Sequence, residues 1–279
     1  MDDSDNLGGG SLLIAWQLKD RKVLIVGGGE VASQRIQSIL TTDAYITVLS
    51  PQAGLHPRTS NLINTRNDRI TYHDRLFRGP EELERMDMVL TALDDNDLSR
   101  QIVQMSRKKR IPVNAADIPD LCDFYFGAQI RDGPLQIMIS TNGNGPRMAS
   151  LIKTRLQKGL SGHEGQALVK IGQLRNILKE RAPGVGGQVG RHRMKWMAEL
   201  CNQWEMEDFT ALDETTMTRL LDDGWDKGRH IPKPEGIGIH RPRGTTAPRY
   251  PIPVLQIAIA FATGALTATV LLLYRGRKW

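Results

Sequence analysis

Residues Gly27-Gly28-Gly29-Glu30-Val31-Ala32 place the pattern G-x-G-x-x-A directly after the apolar run Lys22 to Val26. Gly27 permits a tight turn, Gly29 lets backbone approach a pyrophosphate, and Ala32 allows a helix to pack closely on a strand. Gly28, Glu30 and Val31 complete the loop, where the unpaired amides of a helix start would hold phosphate oxygens. A bare glycine-rich pattern also describes a flexible turn, and the strand-loop-helix context is what favours a dinucleotide. The acid expected at the end of the second strand, for the adenosine ribose, is replaced by Ser50 in Thr47-Val48-Leu49-Ser50-Pro51. With no arginine at that immediate position, NAD is expected rather than NADP, bordered by Ser50, Pro51 and Gln52. Thr91 and Ala92, ending a later strand, are expected across the same crevice.

The second feature is Asp117, which follows the short apolar run Ile111 to Asn114. A carboxylate just beyond a strand end could take up a proton from a bound substrate, or could simply cap the turn before Ile118-Pro119, and the residues alone leave both readings open. Asp120 and Asp123 fit turn and capping roles. Thr141, Asn142 and Gly143 precede a helix start at Pro146 and could hold anionic groups through backbone amides, with Arg147 as charge partner; a plain helix start is the competing reading. His56, His73, His163, His192, His230 and His240 show neither HxxxH nor HExxH spacing. No preformed metal site is therefore expected. Cys122 and Cys201 are too few for a disulfide framework, and two buried free thiols are expected.

These residues need a scaffold. Strand candidates at Lys22 to Val26, Tyr45 to Leu49, Ile70 to His73, Met88 to Ala92 and Ile111 to Asn114 alternate with helical spacing at Glu30 to Leu40 and Asn96 to Lys109. That alternation predicts an α/β fold, a Rossmann-like doubly wound sheet over residues 11–117 after a flexible start at 1–10. Pro51 to Asp68 reads as loop. Asp123 to Ile130 and Leu135 to Ser140 read as a hairpin across Arg131-Asp132-Gly133-Pro134, which with the following helix makes a small α+β domain over 118–160. Helical periodicity dominates 161–227, interrupted by a glycine-rich run near Ala182 to Gly190.

The chain has 279 residues, 37 Lys+Arg against 31 Asp+Glu, and a formal net charge of +6. Eight of those basic residues and one acidic residue fall within 229–279, which leaves 29 basic and 30 acidic residues in 1–228. A nearly neutral body is poor support for a phosphate-reading surface, and nucleic acid is not an expected partner. Residues 228–251 hold five of the 14 prolines and read as a linker. From Ile252 to Tyr274 no residue is charged. As a helix this stretch would run about 35 Å, enough to cross a hydrocarbon core. Arg241, Arg243, Arg249 and Tyr250 before it, and the basic tail 275–279 with Trp279 after it, suit headgroup anchoring. A C-terminal transmembrane helix over 252–274 is expected, membrane-anchored with residues 1–251 facing the cytosol; Met1 to Gly10 has no signal-peptide character.

Three motifs taken together resemble a known family: Gly27-Gly28-Gly29-Glu30-Val31-Ala32, Asn114-Ala115-Ala116-Asp117-Ile118-Pro119-Asp120-Leu121-Cys122-Asp123-Phe124-Tyr125-Phe126-Gly127-Ala128, and Ser140-Thr141-Asn142-Gly143-Asn144-Gly145-Pro146-Arg147. In order and spacing they are similar to the fungal bifunctional siroheme synthases, precorrin-2 dehydrogenase and sirohydrochlorin ferrochelatase, over roughly residues 12–225. The resemblance implies an NAD-binding Rossmann domain, a central dimerisation domain, a helical domain and a homodimer. It further implies a tetrapyrrole substrate, Fe²⁺ as a second substrate, and Asp117 as the aspartate serving both reactions. Dehydrogenase activity without chelation, and a membrane-tethered NAD-responsive interaction protein, are the alternatives.

Overall fold

A computed structural model describes residues 10–228 and 230–240. These fall into two compact units. One is built from the chain up to Ile130 together with Gln136–Gln157, the other from Arg131–Leu135 and the chain from Lys158 onward.

The first unit is a five-stranded parallel sheet in the order β3-β2-β1-β4-β5. Its strands are β1 (Lys22–Val26), β2 (Tyr45–Leu49), β3 (Ile70–His73), β4 (Met88–Thr91) and β5 (Val113–Ala115). β1 carries Val23, Leu24, Ile25 and Val26, all essentially buried, because a parallel sheet covered on both faces selects continuous apolar runs rather than alternation. Helices α1 (Glu30–Leu40) and α2 (Pro57–Thr65) serve one face, where Ile36 and Ile39 pack with Val23, Ile25, Ile46 and Val48 and are flanked by Leu62 and Ile63. On the other face α3 (Asn96–Lys108) sets Ile102 and Val103 against Leu24, Val26, Val89 and Val113. Strand order reverses between β1 and β4, which pair in the register Val26↔Thr91. The carboxyl ends of these two strands therefore flank the crevice where open α/β sheets bind ligands.

Two local expectations are revised. The 51–68 stretch is not all loop, since α2 occupies its middle, with Pro57 in its first turn and His56 capping it through Nδ1, which accepts from Arg58 N. Its apolar stripe is short, with Thr59 buried and Leu62 and Ile63 partly so, which explains why periodicity alone missed it. Asp123 to Gly127 is not strand either: β6 spans Ala128–Asp132 and pairs with β7 (Leu135–Ile139) in a two-stranded sheet. The preceding residues instead lay Phe124 and Phe126 on the core, with the Phe124 ring edge-on to Trp16. α4 (Pro146–Gly159) follows the hairpin.

The second unit is helical. It comprises α5 (Glu164–Arg181), α6 (Gly187–Gln203), α7 (Met206–Thr210) and α8 (Glu214–Leu220), then a single π-helical turn at Leu221–Asp226. Its core gathers Leu174, Leu178, Trp196, Leu200, Trp204, Phe209, Leu220 and Trp225. The break between α5 and α6 sits where the glycine run predicts it, and Arg193 secures it by donating to the carbonyls of Ala182 and Gly184, each at 2.6 Å.

Residues 230–240 depart from the linker expected over 228–251. Pro234, Ile237 and Ile239 are buried in the helical core, and the Trp196 and Trp204 indoles donate to the carbonyls of His230 and Pro232 at 3.0 Å each. Proline here shapes a packed segment, not a tether. Among the described residues no helix is long and apolar enough to cross a membrane; the expected span 252–274 lies outside them. Both cysteines are free, Cys122 half-buried and Cys201 exposed rather than buried as expected.

Candidate active site

The glycine loop is shaped by close approach. Gly27 has φ +120°, and a Cβ there would collide with the carbonyl oxygen of Ala92. Its amide donates to Leu49 O at 2.9 Å while Ala92 N donates to Val26 O at 2.8 Å, so β1, β2 and β4 are stitched together at the crevice floor. A Cβ on Gly28 would meet Ser50 Oγ and Leu55 Cδ2, both at 2.5 Å. Gly29 differs: nothing lies within 4 Å of a Cβ built on it. It is also the N-cap of α1 and, lacking a side chain, leaves the first-turn amides of Glu30 and Val31 uncapped. Open space above free helix-start amides is what a pyrophosphate needs.

At the rim, Ser50 is buried and its hydroxyl donates to Pro51 O at 3.2 Å, while Pro51 and Gln52 are exposed. The Tyr72 hydroxyl donates to Ser50 O at 2.9 Å. Across the crevice Thr91 is buried with its Oγ1 unpartnered. A buried hydroxyl without a partner at a strand's carboxyl end is where a bound molecule would complete the hydrogen bonding. The crevice thus fits a dinucleotide on three counts: the space over Gly29, the uncapped amides and the orphan Thr91 hydroxyl.

Asp117 lies in the turn after β5, exposed and with φ +60°. Ala116 N donates to Thr91 O at 2.9 Å, so the Asp117 turn is fastened to the strand end that carries the orphan hydroxyl. Several bonds brace it from behind. Cys122 Sγ lies 3.1 Å from Ala115 O and 3.4 Å from Ile118 O, and Asn114 Nδ2 donates to Phe124 O at 2.8 Å. Burial pushes the Cys122 thiol up from its ordinary value, consistent with a neutral donor. Asp123 does the capping expected of it: its carboxylate accepts from Val113 N at 3.1 Å and from Arg107 at 2.8 Å.

Arg35 was not singled out in the sequence. It sits in the second turn of α1 with its guanidinium carbon 4.3 Å from the centre of the Phe126 ring, and its Nε is buried with no hydrogen-bond partner among the described residues. Burial pushes its guanidinium down, and the charge of the nearby Asp117 carboxylate counteracts this. The signal available beforehand was a lone cation beside the apolar stripe of Ala32, Ile36 and Ile39.

The 141–147 loop takes a different form. Asn142 and Gly143 adopt positive φ, +48° and +83°. Thr141 Oγ1 accepts from Gly145 N at 3.2 Å, and Thr141 O accepts from Asn144 N at 2.9 Å, so Thr141 organises the start of α4. Ser11 donates to Asn142 Oδ1 at 2.7 Å, and Arg147 is exposed. Backbone hydrogen bonds thus gather Gly27, Thr91, Ala92 and the turn that carries Asp117 at neighbouring strand ends, with Ser50 beside Gly28. They give the 141–147 group its own loop geometry. Among the described residues no group of three or more His, Cys, Asp or Glu side chains could hold a metal ion.

Comparison with known proteins agrees with this architecture. Residues 14–128 match the family described as putative NAD(P)-binding, 132–158 the central family of sirohaem biosynthesis proteins, and 162–231 their C-terminal family. The siroheme biosynthesis protein met8 of Schizosaccharomyces pombe is 47% identical over 213 residues, covering 76% of this chain and 79% of that protein. Its namesake in Saccharomyces cerevisiae, also a siroheme biosynthesis protein, is 30% identical over 249 residues, covering 76% of this chain and 89% of that protein. The solved structure titled SirC, precorrin-2 dehydrogenase, superposes with a TM-score of 0.56 at 22% identity, covering 76% of this chain and 98% of that one. These matches show that the chain belongs to the siroheme biosynthesis protein family, with an NAD(P)-binding domain at its amino-terminal side.

Proposed function

We propose that this enzyme oxidises precorrin-2 to sirohydrochlorin with NAD⁺ and inserts Fe²⁺ into that product to give siroheme. The observation that carries the reading is the 2.9 Å bond from Ala116 N to Thr91 O, which ties the Asp117 turn to the dinucleotide crevice. When bound, NAD⁺ supplies a hydride acceptor. Oxidation removes one hydride and one proton from the tetrapyrrole, and Asp117, exposed at the crevice edge, accepts the proton. In chelation the ring nitrogens replace two N–H bonds by bonds to Fe²⁺, and the same carboxylate takes up the released protons one at a time. The macrocycle is the metal's ligand set. Thr141, Asn142, Gly143 and Arg147 receive its peripheral carboxylates, an assignment supported by the positive-φ backbone at Asn142 and Gly143 and the exposed Arg147.

Two further assignments belong to this reading. The hairpin and α4 form a homodimer interface: of their residues only Ile130 and Ala149 are buried, while Met138, Met148, Leu151 and Leu156 stay exposed. Surface of that kind is normally covered by a partner. The uncharged run 252–274 tethers the enzyme to a membrane, supported by its length and flanking cations.

Incubating the purified full chain with precorrin-2 and NAD⁺, then adding Fe²⁺, tests the two activities separately by absorbance. NADH and sirohydrochlorin should appear first and siroheme only after iron. Sirohydrochlorin that iron leaves unchanged would reduce the enzyme to a dehydrogenase. No NADH would overturn the reading.

A further inference from the structure

We propose that Asp74 makes this site choose NAD over NADP, taking over from the end of β3 the work of the acid missing at the end of β2. The proposal rests on the dinucleotide reading of the crevice and adds to it the residue that discriminates.

β2 and β3 run parallel with Leu49 opposite His73, so Ser50 and Asp74 leave the sheet side by side. Ser50 N donates to His73 O at 3.3 Å, which keeps the two strand ends together. The Asp74 carboxylate then reaches back across the gap. Its Oδ1 accepts from Gln52 N at 2.7 Å, which fixes the acid against the Ser50–Gln52 loop. A carboxylate at the end of β2 would serve that same loop, where the adenosine ribose lies in this fold. Asp74 is exposed and only Oδ1 is committed to the backbone, which leaves Oδ2 to accept from a ribose 2′-hydroxyl.

The neighbouring charges point the same way. A 2′-phosphate needs a cation within reach, and the adjacent Arg75 is already held by Glu82 at 2.5 Å, in a pair where Glu82 is only 9% exposed. The Asp74 charge is felt locally, since it adds to burial in pushing the Tyr72 phenol up. A phosphate placed beside this carboxylate would meet repulsion, whereas a 2′-hydroxyl would gain a charge-assisted hydrogen bond.

The test is calorimetric titration of the purified full chain with NAD⁺ and with NADP⁺, without substrate. Wild type should bind NAD⁺ at least about tenfold more tightly. Asp74→Asn keeps an acceptor for Gln52 N and removes the charge; Asp74→Ala removes both. Each should shrink the preference by roughly tenfold, chiefly by gaining NADP⁺ affinity. Raising the salt concentration should narrow the wild-type preference as well. Equal wild-type affinity for the two nucleotides, or an unchanged ratio in both variants, would overturn the proposal while leaving the dinucleotide site intact. Binding of neither nucleotide would overturn the site itself.

Discussion

Glycine at position 27 answers two separate demands, a φ of +120° and the carbonyl of Ala92 pressed against the place a Cβ would occupy. Gly29 answers neither, having ordinary φ and open space. The two positions should therefore fail differently. Gly27→Ala should lose roughly 1–3 kcal/mol in denaturant unfolding, with dinucleotide affinity falling as a consequence. Gly29→Ala should cost within about 1 kcal/mol, as an N-cap change, yet weaken NAD⁺ binding by about tenfold or more because its methyl group enters the pyrophosphate space. Equal behaviour of the two variants would contradict the cradle. Thr91→Val gives a third outcome. The hydroxyl has no partner among the described residues, so its removal should leave apoprotein stability unchanged or higher while lowering NAD⁺ affinity in titration.

The turn that carries Asp117 depends on the element behind it. Asp123→Ala would strip Val113 N and Arg107 of their shared acceptor, and leaving that backbone donor unpaired should cost about 1–3 kcal/mol in unfolding free energy. Elsewhere, Asp213 caps α8 by accepting from Thr216 N at 2.8 Å, and that bond holds its carboxyl below the usual range. A depressed folded-state value means the cap's stabilisation is present above the unfolded-state value and disappears as pH falls through the folded one. Melting of Asp213→Ala should accordingly lose less on acidification than wild type. At this scale the sequence was legible where periodicity ran long. The strands β1 to β4, helices α1 and α3, and the glycine break before α6 all fall where hydrophobic spacing puts them. It was illegible where tertiary contacts override local pattern. Phe124 and Phe126 look like strand residues but serve as anchors for a braced turn, and α2 has too few buried residues to register. The crevice residues Gly27, Ser50, Thr91 and Ala92 were readable from strand ends. Arg35 and Asp74 were not, because a guanidinium laid over an aromatic ring and a carboxylate reaching to a neighbouring loop are facts of packing, not of spacing.

For the whole molecule, the carboxyl boundary of the helical unit lies later than composition suggests. A chain ending at His240 should retain a cooperative melt, whereas one ending at Gly228 should lose the packing of Ile237 and Ile239 and both indole hydrogen bonds. Two buried isoleucines alone correspond to roughly 3–6 kcal/mol, enough to unfold a marginal helical unit, as circular dichroism on heating would show. The units divide at the hairpin, and the proposed chemistry concentrates in the first, where the crevice and the Asp117 turn share the end of β4. The most direct test of that arrangement is the rate of NADH formation from precorrin-2 by Asp117→Asn. Asparagine tolerates the φ of +60° that alanine would strain, so the turn is preserved while the proton acceptor is removed. The rate should fall by about a hundredfold or more with NAD⁺ affinity unchanged. Turnover at the wild-type rate would contradict the assignment of Asp117 to the reaction.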